Sequence, residues 1–252
     1  MSPYVSKPEL VEPDEDVKLW RYMDLAKLLS MFENKGLFFT VSRIFREKYD
    51  YFEGAYPDHW LEFYFPEGVR EEIQGMCDRF WVWYGINCWH INKHESDAMW
   101  KIYSSKGYGI AIQSTFERLK SSFKETDNEV FAGIVHYIDY DEEIVPFDRA
   151  IKAYFYKRKI FEHEKELRVA AAYDLEEPYI PSINGCHIKS DLNQLIENIY
   201  LSPTTPQWIK LLLEALLSKY KITAEVIQSE VIKKPKFRKE YHPKFFIIQT
   251  KS

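Results

Sequence analysis

Along this chain the apolar positions switch between a period of two and a period of three to four, and each switch marks a predicted element. Val17-Lys18-Leu19-Trp20-Arg21-Tyr22 alternates as a strand does, and Asp24 stands as an N-cap before Leu25, Leu28, Leu29 and Phe32 at helical spacing. Gly36 is placed to close that helix as a C-cap, after which Leu37-Phe38-Phe39-Thr40 resumes as a short buried strand. Val69, Ile73, Met76, Phe80 and Trp83 predict a helix from Glu67 to Tyr84. A strand from Ile86 to His90 runs into a loop. Ser96 then caps a short helix with Met99, Trp100 and Tyr103, which Gly107 and Gly109 break before a strand at 109–112. A helix at 116–123, a strand at 133–138, a helix at 148–161 and a strand at 166–172 follow. The last third reads as a strand at 198–201, an amphipathic helix at 206–220 and a strand at 223–228.

This order has no steady βαβ rhythm and no glycine-rich phosphate loop, which argues against a Rossmann or P-loop enzyme. It predicts an α+β fold, with mixed, mostly antiparallel sheets and flanking helices. Residues 1–16, with three prolines and a cluster of acids, read as a flexible arm, and residues 17–252 as a single domain.

Composition narrows the setting. No stretch approaches the roughly 18 apolar residues of a membrane helix, and the start lacks the basic-then-apolar pattern of a signal peptide. The three cysteines, Cys77, Cys88 and Cys186, are odd in number and widely spaced, as expected of a reducing, cytoplasmic compartment. His90 and His94 follow Cys88 closely, but no CxxC accompanies them and no metal is expected. A net charge of −5 and a pI near 5.9 exclude an ordinary basic nucleic-acid binder. Any such contact must be local, at the basic patches from Lys152 to Arg168 and Lys233 to Lys239. At 17 % aromatic, the chain has rings enough for a core and for stacking on a planar ligand.

Candidate chemistry gathers in two segments, Cys88 to Tyr103 and Lys157 to Arg168. In the first, a helix beginning at Ser96 brings Trp100 and Tyr103 to the side of Ser96, and Glu95 competes with Ser96 as the cap. Trp89 and Trp100 are divided between core packing and lining a cleft. In the second, an extended 164–169 projects Glu164, Glu166 and Arg168 from one face and Leu167 and Val169 from the other. That face reads either as a solvated salt-bridge ladder or as a carboxylate oriented by Arg168 to bind a ribose hydroxyl or stabilise positive charge. Asp139 and Asp141 read as a strand-end turn rather than as metal ligands. No nucleophile elbow and no HExxH occurs.

The combination of Leu19-Trp20-Arg21-Tyr22, Phe52-Glu53-Gly54, Cys88-Trp89-His90, Glu95-Ser96 with Ala98-Met99-Trp100-Lys101-Ile102-Tyr103, Gly109 to Ile112, and Lys157 with His163-Glu164-Lys165-Glu166-Leu167-Arg168 resembles a widespread prokaryotic family catalogued only as a domain of unknown function. The match runs from about Val17 to Gln228 and implies no activity. A weaker resemblance is to the ADP-ribosyltransferase fold. It implies an NAD-using transferase or NAD glycohydrolase, a toxin or antiphage effector, with a small-molecule nucleotide as substrate and a nucleic acid or protein as target. By that resemblance Arg21 holds the nicotinamide or phosphate end of NAD, Phe39 or Thr40 fills the middle position, and Glu166 engages ribose and the oxocarbenium-like transition state. Tyr22, Trp89, His90, Ser96, Trp100, Tyr103, Lys157, Glu164 and Arg168 complete the expected pocket. The early strand here carries no histidine, and the middle position no tyrosine. The alternative expectation is an interaction module whose aromatic cleft stacks on a base.

Overall fold

The computed structural model describes residues 3–41, 44, 58–80, 84–104, 108–146, 150–172 and 184–233. Phe52-Glu53-Gly54, Trp83 and the basic tail beyond Lys233 lie outside them. The strands are β1 (Lys18–Asp24), β2 (Gly36–Val41), β3 (Tyr84–Ile91), β4 (Gly109–Thr115), β5 (Val130–Ile134), β6 (His136–Ile138), β7 (Tyr156–Arg158), β8 (Glu166–Ala172), β9 (Gly185–Lys189), β10 (Asn198–Leu201) and β11 (Glu225–Gln228). Nine form one sheet that follows β11-β10-β4-β1-β3-β2-β9, with β8 paired to β3 and β5 to β8. Among the described strands, only β10 with β11, and the separate pair of β6 with β7, are parallel. The helices are α1 (Leu25–Glu33), α2 (Asp58–Tyr64), α3 (Glu67–Phe80), α4 (Asp97–Ser104), α5 (Phe116–Ser121), α6 (Leu192–Leu195) and α7 (Gln207–Tyr220). The fold is α+β, as the pattern predicts.

Strand alternation sends one set of side chains to each face of the sheet. One face carries the main core: Leu19, Met23, Ile112, Trp89, Leu167 and Val169 pack under Leu28 and Phe32 of α1, Phe116 and Leu119 of α5, and Leu213 and Leu217 of α7. The other face carries two smaller apolar clusters. Trp20, Tyr22 and Ala111 pack with Met99 and Trp100 of α4, while Ile86, Phe131 and Ala170 pack with Tyr154, Phe155 and Leu10. Each fully buried large apolar side chain contributes roughly 1.5–3 kcal/mol. The polar residues between the two clusters on this second face form the candidate site.

Several local readings change. Asp24 caps α1 through a bond from Lys27 N–H, as its position predicts. Gly36, however, opens β2 rather than capping the helix, and Lys35 takes the left-handed turn at φ 48°. Glycine is required at 36 because a Cβ there would collide with the backbone carbonyl of Ile188 on the adjacent β9. The strand expected at 133–138 is cut at Val135: its N–H still bonds to Glu166 O at 2.9 Å, and the chain then leaves to form β6. The helix expected at 148–161 is instead a 3-10 turn (Ala150–Phe155), β7 and a second 3-10 turn (Lys159–Glu164). Its break follows from pairing with β6 and from the Tyr154 carbonyl, which accepts from Arg168. Residues 3–16, expected as a loose arm, run against β5: Tyr4 bridges Val130, Val5 N–H bonds to the same residue, and Leu10 is buried.

Candidate functional site

The site begins with an irregularity of the sheet. Along one edge β3 pairs with β8 without interruption from Tyr84 to His90. Its other edge is shared: β1 pairs with it at Ile91 and His90, and β2 at Ile86 and Gly85. Between these pairings β1 and β2 diverge, which leaves a fork beside Asn87 and Cys88. Two side chains satisfy the exposed backbone there. Asn87 Nδ2 donates to Phe38 O at 2.8 Å, and Arg21 Nη1 donates both to Cys88 O at 2.7 Å and to Asn87 Oδ1 at 2.9 Å. Arg21 is half-buried, and no carboxylate pairs with it among the described residues. Loss of hydration pulls its pKa down, opposed by Cys88 and Tyr103.

On the second face of the sheet, cross-strand register sets His90 beside Glu166 and Cys88 beside Arg168. Arg168, 1 % exposed, donates from Nε (3.0 Å) and Nη2 (2.8 Å) to Glu166 Oε2 and from Nη1 to Tyr154 O (2.6 Å). Lys157 Nζ lies 3.7 Å from the same oxygen and 2.6 Å from Glu164 Oε2. Glu166, 9 % exposed, is therefore an oriented buried carboxylate and not part of a solvated ladder. Burial pushes its pKa up, but Arg168, Lys157 and hydrogen bonds from Arg168 and the Cys88 thiol prevail and hold it below the usual carboxylate range. The Glu166 N–H donates to the Tyr137 hydroxyl at 2.8 Å.

His90 is 3 % exposed. Its Nδ1 lies 2.6 Å from Glu164 O, and because a carbonyl only accepts, Nδ1 carries the proton. Its Nε2 has no hydrogen-bond partner among the described residues. Burial lowers the pKa of the ring, with the backbone bond to Glu164 opposing, so the imidazole is neutral near pH 7.

Aromatic side chains wall one side. Tyr22 meets Trp100 edge-on at 4.9 Å, stacks with Tyr103 at 6.5 Å and lies 6.2 Å from the His90 ring. The Tyr22 hydroxyl accepts from Ser96 N–H at 2.8 Å. Ser96 Oγ, at 3.4 Å from Met99 N, is the helix cap, and Glu95 instead accepts from the Trp100 indole at 2.9 Å. Tyr103 keeps 43 % of its surface exposed. Burial, and after it the charges of Cys88, Glu166 and Glu164, push its phenol up, while Arg21 pulls it down. Its hydroxyl thus shares surroundings with both the carboxylate and the fork.

Among the expected residues, Tyr22, His90, Trp100, Tyr103, Lys157, Glu164, Glu166 and Arg168 gather here, with Arg21 at the fork and Ser96 behind Tyr22. Two do not. Trp89 points to the opposite face, opposite Leu167, and belongs to the main core. Phe39 is fully buried in that same core against Phe123, because alternation along β2 exposes Phe38 instead; Thr40 is half-buried beside Gly185. Lys157 and Arg168 are turned inward, which removes them from the solvent-facing basic patch. Cys88, which opens the first candidate segment without a role of its own, bonds to the Glu166 carboxylate, and Asn87 and Tyr137 join the site from outside the expected residues. Cys88 was recoverable from its i, i+2 spacing to His90; the other two depend on strand register. Asp139 Oδ1 accepts from Asp141 N–H in a turn, and no metal-binding cluster occurs among the described residues. No described helix is long and apolar enough to cross a membrane.

Comparison with known proteins assigns no family: no family model matches the chain, and no curated protein matches it.

Proposed function

We propose that the chain is an NAD-using glycosyl-transferring enzyme, an ADP-ribosyltransferase or NAD glycohydrolase, with Glu166 as the catalytic carboxylate and NAD as substrate. One observation carries the reading: a buried, ionised carboxylate, fixed through one oxygen by Arg168 and Lys157, stands beside the fork that holds a guanidinium without a carboxylate partner.

The chemistry follows from charge. Breaking the bond between the anomeric carbon and the pyridinium nitrogen sends the bonding pair to nicotinamide, which departs neutral, and leaves the positive charge on the ribosyl ring. A carboxylate in a poorly hydrated site stabilises that charge. Water or an acceptor then adds to the anomeric carbon and releases a proton. Arg21 suits a phosphate oxygen of the donor, because a guanidinium offers further N–H donors beyond the one nitrogen occupied at the fork. Tyr103, which keeps 43 % of its surface exposed and is backed by the buried Tyr22 ring, offers ring surface to a planar leaving group.

The first test is binding. NAD and ADP-ribose are expected to raise the melting temperature of the wild-type protein, and Arg21→Ala to reduce that shift markedly. No shift with either ligand, at concentrations up to about a millimolar dissociation constant, sinks the proposal.

A further inference from the structure

We infer that His90 Nε2 and the Glu166 carboxylate together form an acceptor pair that recognises two adjacent hydroxyls of a ribose, making the ligand class ribonucleotides or ribose phosphates rather than their deoxy forms. The inference rests on the site reading above and deepens it, but does not require that the bound sugar be cleaved.

Among the described residues of the site, His90 has buried polar capacity that no hydrogen bond takes up. It is buried to 3 % exposure, its Nδ1–H is committed to the Glu164 carbonyl, and Nε2 is left as a bare acceptor. Leaving such an atom buried without a partner costs about 1–3 kcal/mol, so a ligand that supplies a donor regains that energy on binding. Among the described residues no donor reaches this nitrogen; the nearby Tyr22 ring stands edge-on to the imidazole at 6.2 Å, and its hydroxyl accepts from Ser96 N–H.

Register then selects the donor. His90 and Glu166 are cross-strand partners, which puts their Cβ atoms about 5 Å apart on one face. Both groups accept and neither donates, the carboxylate because it is ionised and the ring because its proton is on Nδ1. A complementary ligand presents two donors close together. Neighbouring hydroxyls of a sugar do so, and Arg21 at the fork adds the preference for an attached phosphate. A deoxy sugar leaves one acceptor unsatisfied.

The experiment compares ADP-ribose with ADP-ribose lacking either the 2- or the 3-hydroxyl of the terminal ribose, by calorimetry on wild type and His90→Asn. Asparagine keeps a donor near the Nδ1 position and deletes the Nε2 acceptor. Wild type is expected to bind the complete sugar about tenfold more tightly than at least one deoxy form, and His90→Asn to lose most of that preference. Equal affinities in the wild type, failure of ADP-ribose to bind, or an unchanged preference in His90→Asn overturns the inference. If the variant fails to fold, the ring nitrogen resonance of His90 in the wild type decides. It should move with ADP-ribose and move less with the deoxy form that binds more weakly; an unmoved resonance counts against the pairing. Retained sugar preference without nicotinamide release would discard the catalytic reading and leave this one standing.

Discussion

A carboxylate at 9 % exposure stays ionised only if the attraction of its partners outweighs lost hydration, and Glu166 meets this condition through two cations and the Cys88 thiol. Arg168 does most of this through Nε and Nη2, and its Nη1 also ties β8 to the Tyr154 carbonyl. Replacing it strands a buried charge, so Arg168→Ala is expected to lower stability by about 3–5 kcal/mol, measured by urea unfolding; a loss below about 1 kcal/mol would show that the pair is solvated. Arg168→Lys keeps a charge but loses the fixed fork of donors, and should recover only part of the loss. His90 gives a pH signature. Its folded-state pKa lies below the unfolded value, so between the two the unfolded chain binds the extra proton and stability rises with pH. The contribution is complete above about pH 6.5 and is lost as pH falls through the folded value. His136 and His187 act in the same direction. Unfolding midpoints should therefore drop as pH falls below about 6.5, with a shallower drop in His90→Asn; a flat profile through that range contradicts the buried neutral ring.

At the scale of elements, the fork is the feature that makes the site. A strand pairing evenly with both neighbours has no backbone to spare, whereas β3 leaves its Asn87–Cys88 edge to side chains. Asn87 links β3 to β2 through the Phe38 carbonyl and to β1 through Arg21. Asn87→Ala should cost about 1–3 kcal/mol and speed amide exchange in β1 and β2 near the fork more than in β4 or β10. Uniform exchange would mean that the strands are held by packing alone. Little of this was legible beforehand. The alternation expected over 164–169 holds from Glu166 on, where it separates Glu166 and Arg168 from Leu167 and Val169, but Glu164 ends a 3-10 turn and Lys165 is left-handed at φ 42°; Asp24 and the 207–220 helix announced themselves through cap and period. What local pattern could not supply was register. Apolar Phe39 and Trp89 read equally well as wall or core until pairing put them on the other face, and the predicted helix at 148–161 yielded to the pull of Arg168 and of β6.

For the whole molecule, the sheet separates labour between its faces. One face packs helices α1, α5 and α7 and supplies most of the apolar burial; the other breaks its apolar surface into two clusters with a polar seam between them. That seam and the fork beside it join residues from separate stretches of chain, near 21, 88, 100, 157 and 166, so a site of this kind appears only once the domain has closed. Its balance of Lys157 and Arg168 against Glu164 and Glu166 leaves Arg21 as surplus positive charge, suited to an anionic substrate despite a chain that is −5 overall. The most direct test of the account is release of labelled nicotinamide from NAD by wild type and by Glu166→Gln, with cell extract supplied as a source of acceptors. The account predicts release by the wild type and a loss of at least about a hundredfold in the variant, whose circular dichroism remains that of the folded protein. Equal release by the two proteins, or none from the wild type, would contradict it.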